Sequence, residues 1–348
     1  MNLRHLRLPL ALTLAGALGL TAGCGSGDDA DSGKPDDKVI TVYSGRGENL
    51  VKPVLDAFQE KSGITVNVRY GSTAQMAAQL TEEGGKSPAD VFFAQDAGAL
   101  GAVAKRDLFA PLPAEVLDAV PAPYRSADGV WVGVTGRSRV LAYNADQVPQ
   151  ADLPASVFDM TQPQWRGKVG VAPTNGSFQA FVTALRVQHG DDRAKAFLDG
   201  LKANDAQIRE NNIQIVTEVN EGKLATGLVN HYYLFEQAKE KGVPADQMKV
   251  KLHFFPGGDT GGLVNVAGVG VLKKAATDPD TRALVDYLLG TEAQTHFATE
   301  TFEYPLVAGV SPAPGLPALA TLDAPKIDLN DLDTLDETVA MIKEAGLG

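Results

Sequence analysis

The sequence predicts an α/β protein built of two lobes, and two observations lead to this prediction. First, strand-like and helix-like segments alternate from residue 39 onward in the order β-α-β-α-β, which is typical of a parallel sheet covered by helices. Second, about 310 of the 348 residues follow the N-terminal leader, and a chain of that length exceeds one ordinary hydrophobic core. We therefore expect two lobes rather than one.

The N-terminus has the features of a bacterial export signal. Basic residues precede a short apolar run, Leu8 to Leu20, which is too short to span a bilayer. Residues 20–24 read Leu-Thr-Ala-Gly-Cys and resemble the lipobox of bacterial lipoproteins. Cys24 is the only cysteine, and we expect it to carry a lipid; a free thiol beside a plain secretory cleavage site is the alternative. Residues 25–38 are rich in Gly, Asp and Ser, which predicts a flexible tether.

Composition and charge narrow the classes of function. Hydrophobic residues make up 44% of the chain, which is enough for a globular fold, and the net charge is -12 at pH 7. Such an acidic protein is disfavoured as a partner of nucleic acid or of anionic lipid surfaces. The sequence also has no nucleophile elbow, no His-Glu-x-x-His helix and no nucleotide-binding P-loop. We therefore expect a binding protein rather than an enzyme.

The first half of the chain predicts a parallel sheet. Its apolar patterns indicate strands at 39–43, 64–68 and 88–93 and helices at 50–62 and 76–83. The connecting loops begin at Ser44, Gly71 and Gln95. Because open α/β sheets bind ligands at the carboxyl ends of their strands, these loops are expected to face a ligand.

Two adjacent tyrosines, Tyr232 and Tyr233, stand at a second strand-to-helix corner. An apolar strand is predicted from Leu224 to Val229, Asn230 is the expected N-cap, and a helix is predicted at 233–241. A bound trivalent cation would remove the phenolic protons and keep the phenolates. This pattern indicates an iron(III) site, with two packed aromatics whose hydroxyls bond backbone carbonyls as the alternative.

A third corner predicts an anion site. The strand at 169–172 ends in Pro-Thr-Asn-Gly-Ser, and a helix is expected at 178–187. Backbone N–H groups at a helix N-terminus hold phosphate or carbonate through their geometry and the helix dipole. A tight turn with a simple helix cap is the alternative interpretation of Asn175 and Gly176.

Four segments in register give the chain a resemblance to bacterial ferric-ion-binding proteins, the solute receptors of iron(III) ABC importers. They are residues 42–46 (VYSGR), 87–92 (SPADVF), 136–140 (GRSRV) and 230–233 (NHYY). The resemblance implies a type 2 periplasmic-binding-protein fold, transferrin-like, whose lobes are joined by crossings near Gly136-Arg137 and Gly262-Leu263. The implied boundaries are 39–136 plus 264–310 for lobe 1 and 137–263 plus 311–348 for lobe 2.

The resemblance also implies a site. Tyr232 and Tyr233 match the tyrosine ligand pair, whereas Gly47, Gln95 and Phe178 stand where family members supply other ligands. The remaining metal-ligand candidates are therefore Gln95, Glu48 and His231, although a histidine beside two aromatics more often serves as a hydrogen-bonding neighbour. The residues that match an anion site for phosphate or carbonate are Asn175, Gly176, Ser177, Asn211, Asn230 and Arg137. A second arginine, Arg46, either binds the anion or pairs with an acidic neighbour.

The resemblance implies partners and a location as well. We expect a monomer on the extracytoplasmic face of the membrane, held only by lipid on Cys24, that delivers iron(III) to an ABC permease and its ATPase. A receptor of the same fold for a polyamine, thiamine or an oxyanion is the alternative, and a secreted hydrolase is a further one. The glycine-rich residues 257–262 are expected at the second crossing, and 332–345 as a C-terminal amphipathic helix with an inner stripe at Leu332, Leu335, Val339 and Ile342.

Overall fold

Strands and helices alternate along the chain in the computed structural model, which describes residues 38–348. The strands are β1 (Val39–Ser44), β2 (Thr65–Tyr70), β3 (Val91–Ala94), β4 (Trp131–Asn144), β5 (Val169–Val171), β6 (Gln207–Ile208), β7 (Thr226–Asn230), β8 (Val250–His253), β9 (Val264–Val271) and β10 (Tyr304–Pro305). The helices are α1 (Glu48–Ser62), α2 (Thr73–Glu83), α3 (Ala97–Ala104), α4 (Ala114–Asp118), α5 (Gly176–His189), α6 (Asp191–Ala203), α7 (Asn212–Asn220), α8 (Tyr232–Lys241), α9 (Pro279–Leu288), α10 (Thr291–Glu300) and α11 (Leu335–Glu344). The predictions for the signal segment, for Cys24 and for residues 25–37 of the tether lie outside the described residues.

The first half of the sheet contains the three predicted parallel strands in the order β2-β1-β3. Val42 of β1 lies opposite Val68 of β2 on one side and Val91 of β3 on the other, and both pairings are parallel. The prediction of a parallel sheet is thus confirmed for this part of the chain. Beyond β3 the sheet becomes mixed, because β9 pairs antiparallel with β3.

The long strand β4 connects the two halves of the sheet. Its residues 131–138 pair antiparallel with β9, whereas residues 139–143 pair with β7. The change of partner falls between Ser138 and Arg139, close to the predicted first crossing at Gly136-Arg137. The backbone N–H of Arg139 donates to the carbonyl of Leu263 over 2.8 Å, so the expected second crossing lies beside the first.

The second half of the sheet again has parallel strands at its far edge, where β7, β5 and β6 are neighbours. One cluster of buried side chains includes Phe178, Phe181 and Leu198, and another includes Val229 and Ile215. A separate core fills the first half of the sheet, around residues such as Phe92 and Trp131. Each half of the sheet is therefore stabilised by burial of its own apolar side chains.

The C-terminal segment contributes to more than one of these cores. Leu329 and Leu332 are buried in the core of the first half, whereas Ile342 is buried in the second. The helix α11 begins only at Leu335, because residues 329–333 form a separate 3-10 helix. The prediction of one helix from residue 332 was therefore wrong at its start, and two residues of its expected inner stripe, Leu335 and Val339, are only partly buried.

None of the helices within residues 38–348 combines the length and the apolar character that crossing a membrane requires.

Candidate metal and anion site

The tyrosine pair lies in the first turn of α8, directly after β7. Tyr232 is 5% exposed, and the ring centroids of Tyr232 and Tyr233 are 4.2 Å apart with the rings tilted by 34°. Burial raises the pKa of Tyr232 well above its ordinary value, and a charge on Tyr233 would raise it further. The phenol of Tyr232 is thus expected to stay protonated until a cation compensates the charge of its phenolate.

Asn230 is not the N-cap of α8. It is the last residue of β7, where its backbone pairs with Arg139 of β4, and the helix begins one residue earlier than predicted. The N-cap is His231, which already has helical backbone angles (φ -62, ψ -38) and makes no capping hydrogen bond with its side chain.

His231 is fully buried and has both ring nitrogens engaged. The backbone N–H of Ser138 donates to Nδ1 over 3.1 Å, and Nε2 lies 2.9 Å from the carbonyl oxygen of Phe302, to which it donates. Burial lowers the pKa of His231 to about 4, so the ring is neutral. In this geometry no nitrogen of His231 is free for a metal, which favours the interpretation of a hydrogen-bonding neighbour.

Arg46 and Arg137 share one buried carboxylate. Arg46 forms a bidentate ion pair with Glu303, with N–O distances of 2.8 and 2.6 Å, so this arginine does pair with an acidic neighbour. Arg137 donates through Nη2 to the backbone carbonyl of Gln95, and its Nε lies 3.7 Å from Glu303. The Nε atoms of both arginines are buried without a hydrogen-bond partner among the described residues. Two donors are therefore left for a ligand or a solvent molecule.

Arg139 is the site residue that the sequence prediction missed. It is 3% exposed and donates through Nη1 to Ser177 Oγ over 3.1 Å and through Nη2 to the carbonyl of Leu228 over 2.8 Å. No ion pair to Arg139 is formed by the described residues, and burial lowers the pKa of Arg139 to about 10. The sequence did carry a signal, since residues two apart in a strand face the same way and Arg137 was already a candidate.

The predicted anion loop is built around the N-terminus of α5. Asn175 is the N-cap, and its Oδ1 accepts from the backbone N–H of Ser177 over 3.0 Å. The amide nitrogen of Asn212 lies 3.0 Å from Ser177 Oγ and 3.3 Å from Asn175 Oδ1. Asn211, which was the predicted donor, instead caps α7 by accepting from the backbone N–H of Gln214. The neighbouring residue Asn212 therefore takes the place that was expected of Asn211.

A small cavity of about 20 Å³ brings only some of the predicted residues together, and neither Tyr232 nor Tyr233 lines it. It is lined by Gln95, Asp96, Arg137, Arg139, Gly176, Ser177, Asn230, Leu263 and Asn265. The side-chain oxygen of Gln95 is buried without a partner among the described residues. The volume suits one group about the size of a water molecule.

The carboxylates of Asp96 and Glu48, which lie near the first loops, differ in burial and in hydrogen bonding. Asp96 caps α3, where its Oδ1 accepts from the backbone N–H of Ala99 over 2.9 Å, and burial raises its pKa. Glu48 is exposed in the first turn of α1 and does not line the cavity. Residues 38–348 contain no cluster of three His, Cys, Asp or Glu side chains that could hold a metal ion.

Comparisons with known proteins show to which family the chain belongs. The sequence profile of the family described as bacterial extracellular solute-binding protein matches residues 86–330. An Fe(3+)-binding periplasmic protein of Serratia marcescens is 35% identical over 312 residues, which cover 89% of this chain and 91% of that protein.

Solved structures are similar over the same range. Iron-bound HitA from Pseudomonas aeruginosa superposes with a TM-score of 0.81 at 35% identity, over 88% of this chain and 99% of that one. FutA of Trichodesmium, in complex with iron and citrate, superposes with a TM-score of 0.77 at 28% identity, over 89% and 100% of the two chains. The chain therefore belongs to the family of bacterial extracellular solute-binding proteins, and both its resemblance to the ferric-ion-binding proteins and the two-lobed α/β fold that this implied are confirmed.

Proposed function

We propose that the chain binds iron(III) through the phenolates of Tyr232 and Tyr233. The observation that carries this proposal is the pair of adjacent tyrosines, Tyr232 buried and Tyr233 half-buried. Three buried arginines lie near them, of which Arg46 and Arg137 share the carboxylate of Glu303 and Arg139 has no described carboxylate partner. Anionic oxygen donors suit a small, highly charged cation. The excess of buried positive charge favours the phenolates over the phenols once the metal is bound.

An anion completes the coordination in this proposal. Iron(III) with two phenolates keeps one positive charge, and Arg139 adds another that no described carboxylate neutralises. Arg139, Ser177 and Asn212 meet at the N-terminus of α5, where backbone N–H groups and the helix dipole favour negative charge. Phosphate or carbonate is the proposed anion, held there with Asn175, Gly176 and Asn230. Gln95 would add an amide oxygen, whereas Glu48 has no described contact with this site.

Lobe closure brings the two parts of this site together. The proposed boundaries are 39–136 plus 264–310 for lobe 1 and 137–263 plus 311–348 for lobe 2. Within the last segment, Leu329 and Leu332 pack in the core of the first half of the sheet and Ile342 in that of the second. The crossings near Gly136-Arg137 and Gly262-Leu263 then form the hinge, and Arg137 and Leu263 also line the cavity. Hinge closure of two lobes around a ligand is a common binding mechanism.

The proposed cellular role follows from the family. The protein captures iron outside the cytoplasmic membrane, to which lipid on Cys24 anchors it, and delivers it as a monomer to an ABC permease and its ATPase. Release would follow when the permease pulls the lobes apart, since opening separates the anion loop from the first-lobe residues. No catalytic role is proposed.

A receptor for a free oxyanion is the second candidate function. The observation that favours it is Arg139 itself, because a buried arginine without a carboxylate partner can bind an oxyanion whether or not a metal is present. Polyamines and thiamine are cations, and the buried guanidinium groups would repel them.

Arg139→Gln separates these candidates when iron and phosphate are titrated together and apart. With iron(III) as the ligand, we expect phosphate or carbonate to raise the affinity of the wild type at least about tenfold, since charged hydrogen bonds contribute about 1.5–3 kcal/mol. Arg139→Gln should remove most of that gain and still bind iron. Tight phosphate binding without iron, and no effect of phosphate on iron, would instead support the oxyanion receptor.

A further inference from the structure

Three residues on one face of α8 contact the same short segment of the chain. His231, Phe235 and Lys239 are spaced four apart, which places them in line along the helix. Each of them contacts residues 300–303, the last residue of α10 and the three that follow it, which we name the 300–303 turn. The helix that carries both tyrosines is thus held along about two turns of its length by a segment 61 to 71 residues further along the chain.

The contacts differ in chemistry but meet at Phe302. His231 donates to the carbonyl oxygen of Phe302 over 2.9 Å. The ring of Phe235 stacks on the ring of Phe302, with centroids 5.8 Å apart and an angle of 29°. Lys239 Nζ lies 5.7 Å from the centroid of the same ring and pairs with Glu300 over 2.6 Å.

The 300–303 turn is itself fixed to the first half of the molecule. Phe302 has a φ of +57, a left-handed conformation that non-glycine residues rarely adopt and that surrounding contacts must maintain. Thr301 Oγ1 and the backbone N–H of Glu303 both donate to the carbonyl of Phe297, over 2.8 and 3.2 Å. Glu303 also binds Arg46 on the loop after β1. The turn therefore connects α8 to the first loop and to α10.

We propose that the 300–303 turn positions the tyrosine pair for the metal, with Phe302 and His231 as positioning residues. His231 is central because it joins three elements: its Nδ1 accepts from Ser138 in the crossing strand β4, its Nε2 bonds to the turn, and its backbone precedes Tyr232. Rotation of the first turn of α8 would break both bonds. This inference rests on the proposed function, since it assigns a role in iron retention.

The test measures release of iron(III) from residues 25–348 to excess EDTA, followed by the loss of the phenolate-to-iron absorption band. Phe302→Gly removes the ring and keeps a residue that accepts positive φ, so we expect it to fold. His231→Ala removes the link to β4 and to the turn, and His231→Gln restores an N–H donor toward Phe302. The matched control is Lys249→Ala, which breaks a surface ion pair with Asp146 outside this region.

We expect Phe302→Gly and His231→Ala to release iron about three- to tenfold faster than the wild type and to shift the band maximum. His231→Gln should recover most of the wild-type rate, and Lys249→Ala should not change it. A loss of stability alone would leave the band maximum in place. If folded Phe302→Gly released iron at the wild-type rate and its band were not shifted, the proposed role of the turn would be overturned and the proposed function would stand. If the wild type showed no band at all, both the role of the turn and the proposed function would be overturned.

Discussion

Glu236 lies one helical turn after Tyr232 on α8, and it is a carboxyl group that the protein holds partly out of water. Burial raises its pKa from 4.5 to about 7, and the negative charge of Glu303 acts in the same direction. A raised pKa means that the native state prefers the neutral carboxylic acid. The contribution of protonated Glu236 to the free energy of unfolding is therefore fully present below about pH 4.5 and is lost as the pH rises through about 7.

Glu236→Gln should stabilise the iron-free protein at pH 8 and change its stability little at pH 4. The amide cannot ionise, so the mutant avoids the cost of a buried carboxylate, which we expect to be about 1–3 kcal/mol for a shift of this size. Urea unfolding at the two pH values measures the difference. Glu240→Gln, at an exposed position of the same helix, is the control. An equal gain at both pH values would contradict this explanation.

At the scale of the helices and strands, the N-termini of α5 and α7 show how much of the anion site could be predicted from the sequence. A loop at residues 173–177 and a helix at 178–187 were predicted from turn chemistry; the structure has both elements, but α5 begins two residues earlier, at Gly176. The choice between Asn211 and Asn212 could not be made, because either asparagine can cap a helix or reach a neighbouring loop. Only the start of α7 decides it, and that start depends on packing against β7 and β4.

Asn212→Ala and Asn211→Ala are expected to separate anion binding from helix capping. Asn212→Ala removes a donor to Asn175 and Ser177, so the gain in iron affinity from phosphate should fall about tenfold. Asn211→Ala should cost about 1 kcal/mol of stability as a lost N-cap and leave that gain unchanged. Iron titration with and without phosphate, together with urea unfolding, measures both effects. The assignment is wrong if the two variants exchange these results.

The predicted ends of helices and strands were wrong where contacts with distant parts of the chain determine them. Asn230 reads as an N-cap, yet its pairing with Arg139 keeps it in β7. Leu332 reads as part of the last helix, yet it packs in the core of the first half of the sheet. Local patterns determine which segments are helices or strands, whereas such long-range contacts are not encoded within any short window.

At the scale of the whole molecule, the site depends on contacts between distant parts of the chain. Arg46 and Glu303 are 257 residues apart in sequence and form a fully buried ion pair. Burial alone would raise the pKa of Glu303, but the charges of Arg46 and Arg137 and the hydrogen bonds from Arg46 and Thr301 together lower that pKa. The sequence could suggest an acidic partner for Arg46, but it could not identify Glu303. Chain length already predicted two lobes, whereas the resemblance supplied the fold type and the way in which crossing segments join the lobes.

Arg46→Met is expected to destabilise the iron-free protein by about 3–5 kcal/mol, because it leaves the carboxylate of Glu303 buried without its bidentate partner. The double variant Arg46→Met/Glu303→Leu should recover most of this loss, since it removes both charges. Urea unfolding of the two single variants and the double variant gives the coupling energy. Additive losses in the double variant would show that the pair is not coupled in the way the structure indicates.

The visible absorption spectrum of residues 25–348 during titration with ferric citrate, with Tyr232→Phe and Tyr233→Phe measured alongside, tests the central claim most directly. We expect a phenolate-to-iron charge-transfer band in the wild type that weakens in each variant, and that strengthens when phosphate or carbonate is added. If no band develops in the wild type under any of these conditions, direct binding of iron(III) by the tyrosine pair is contradicted.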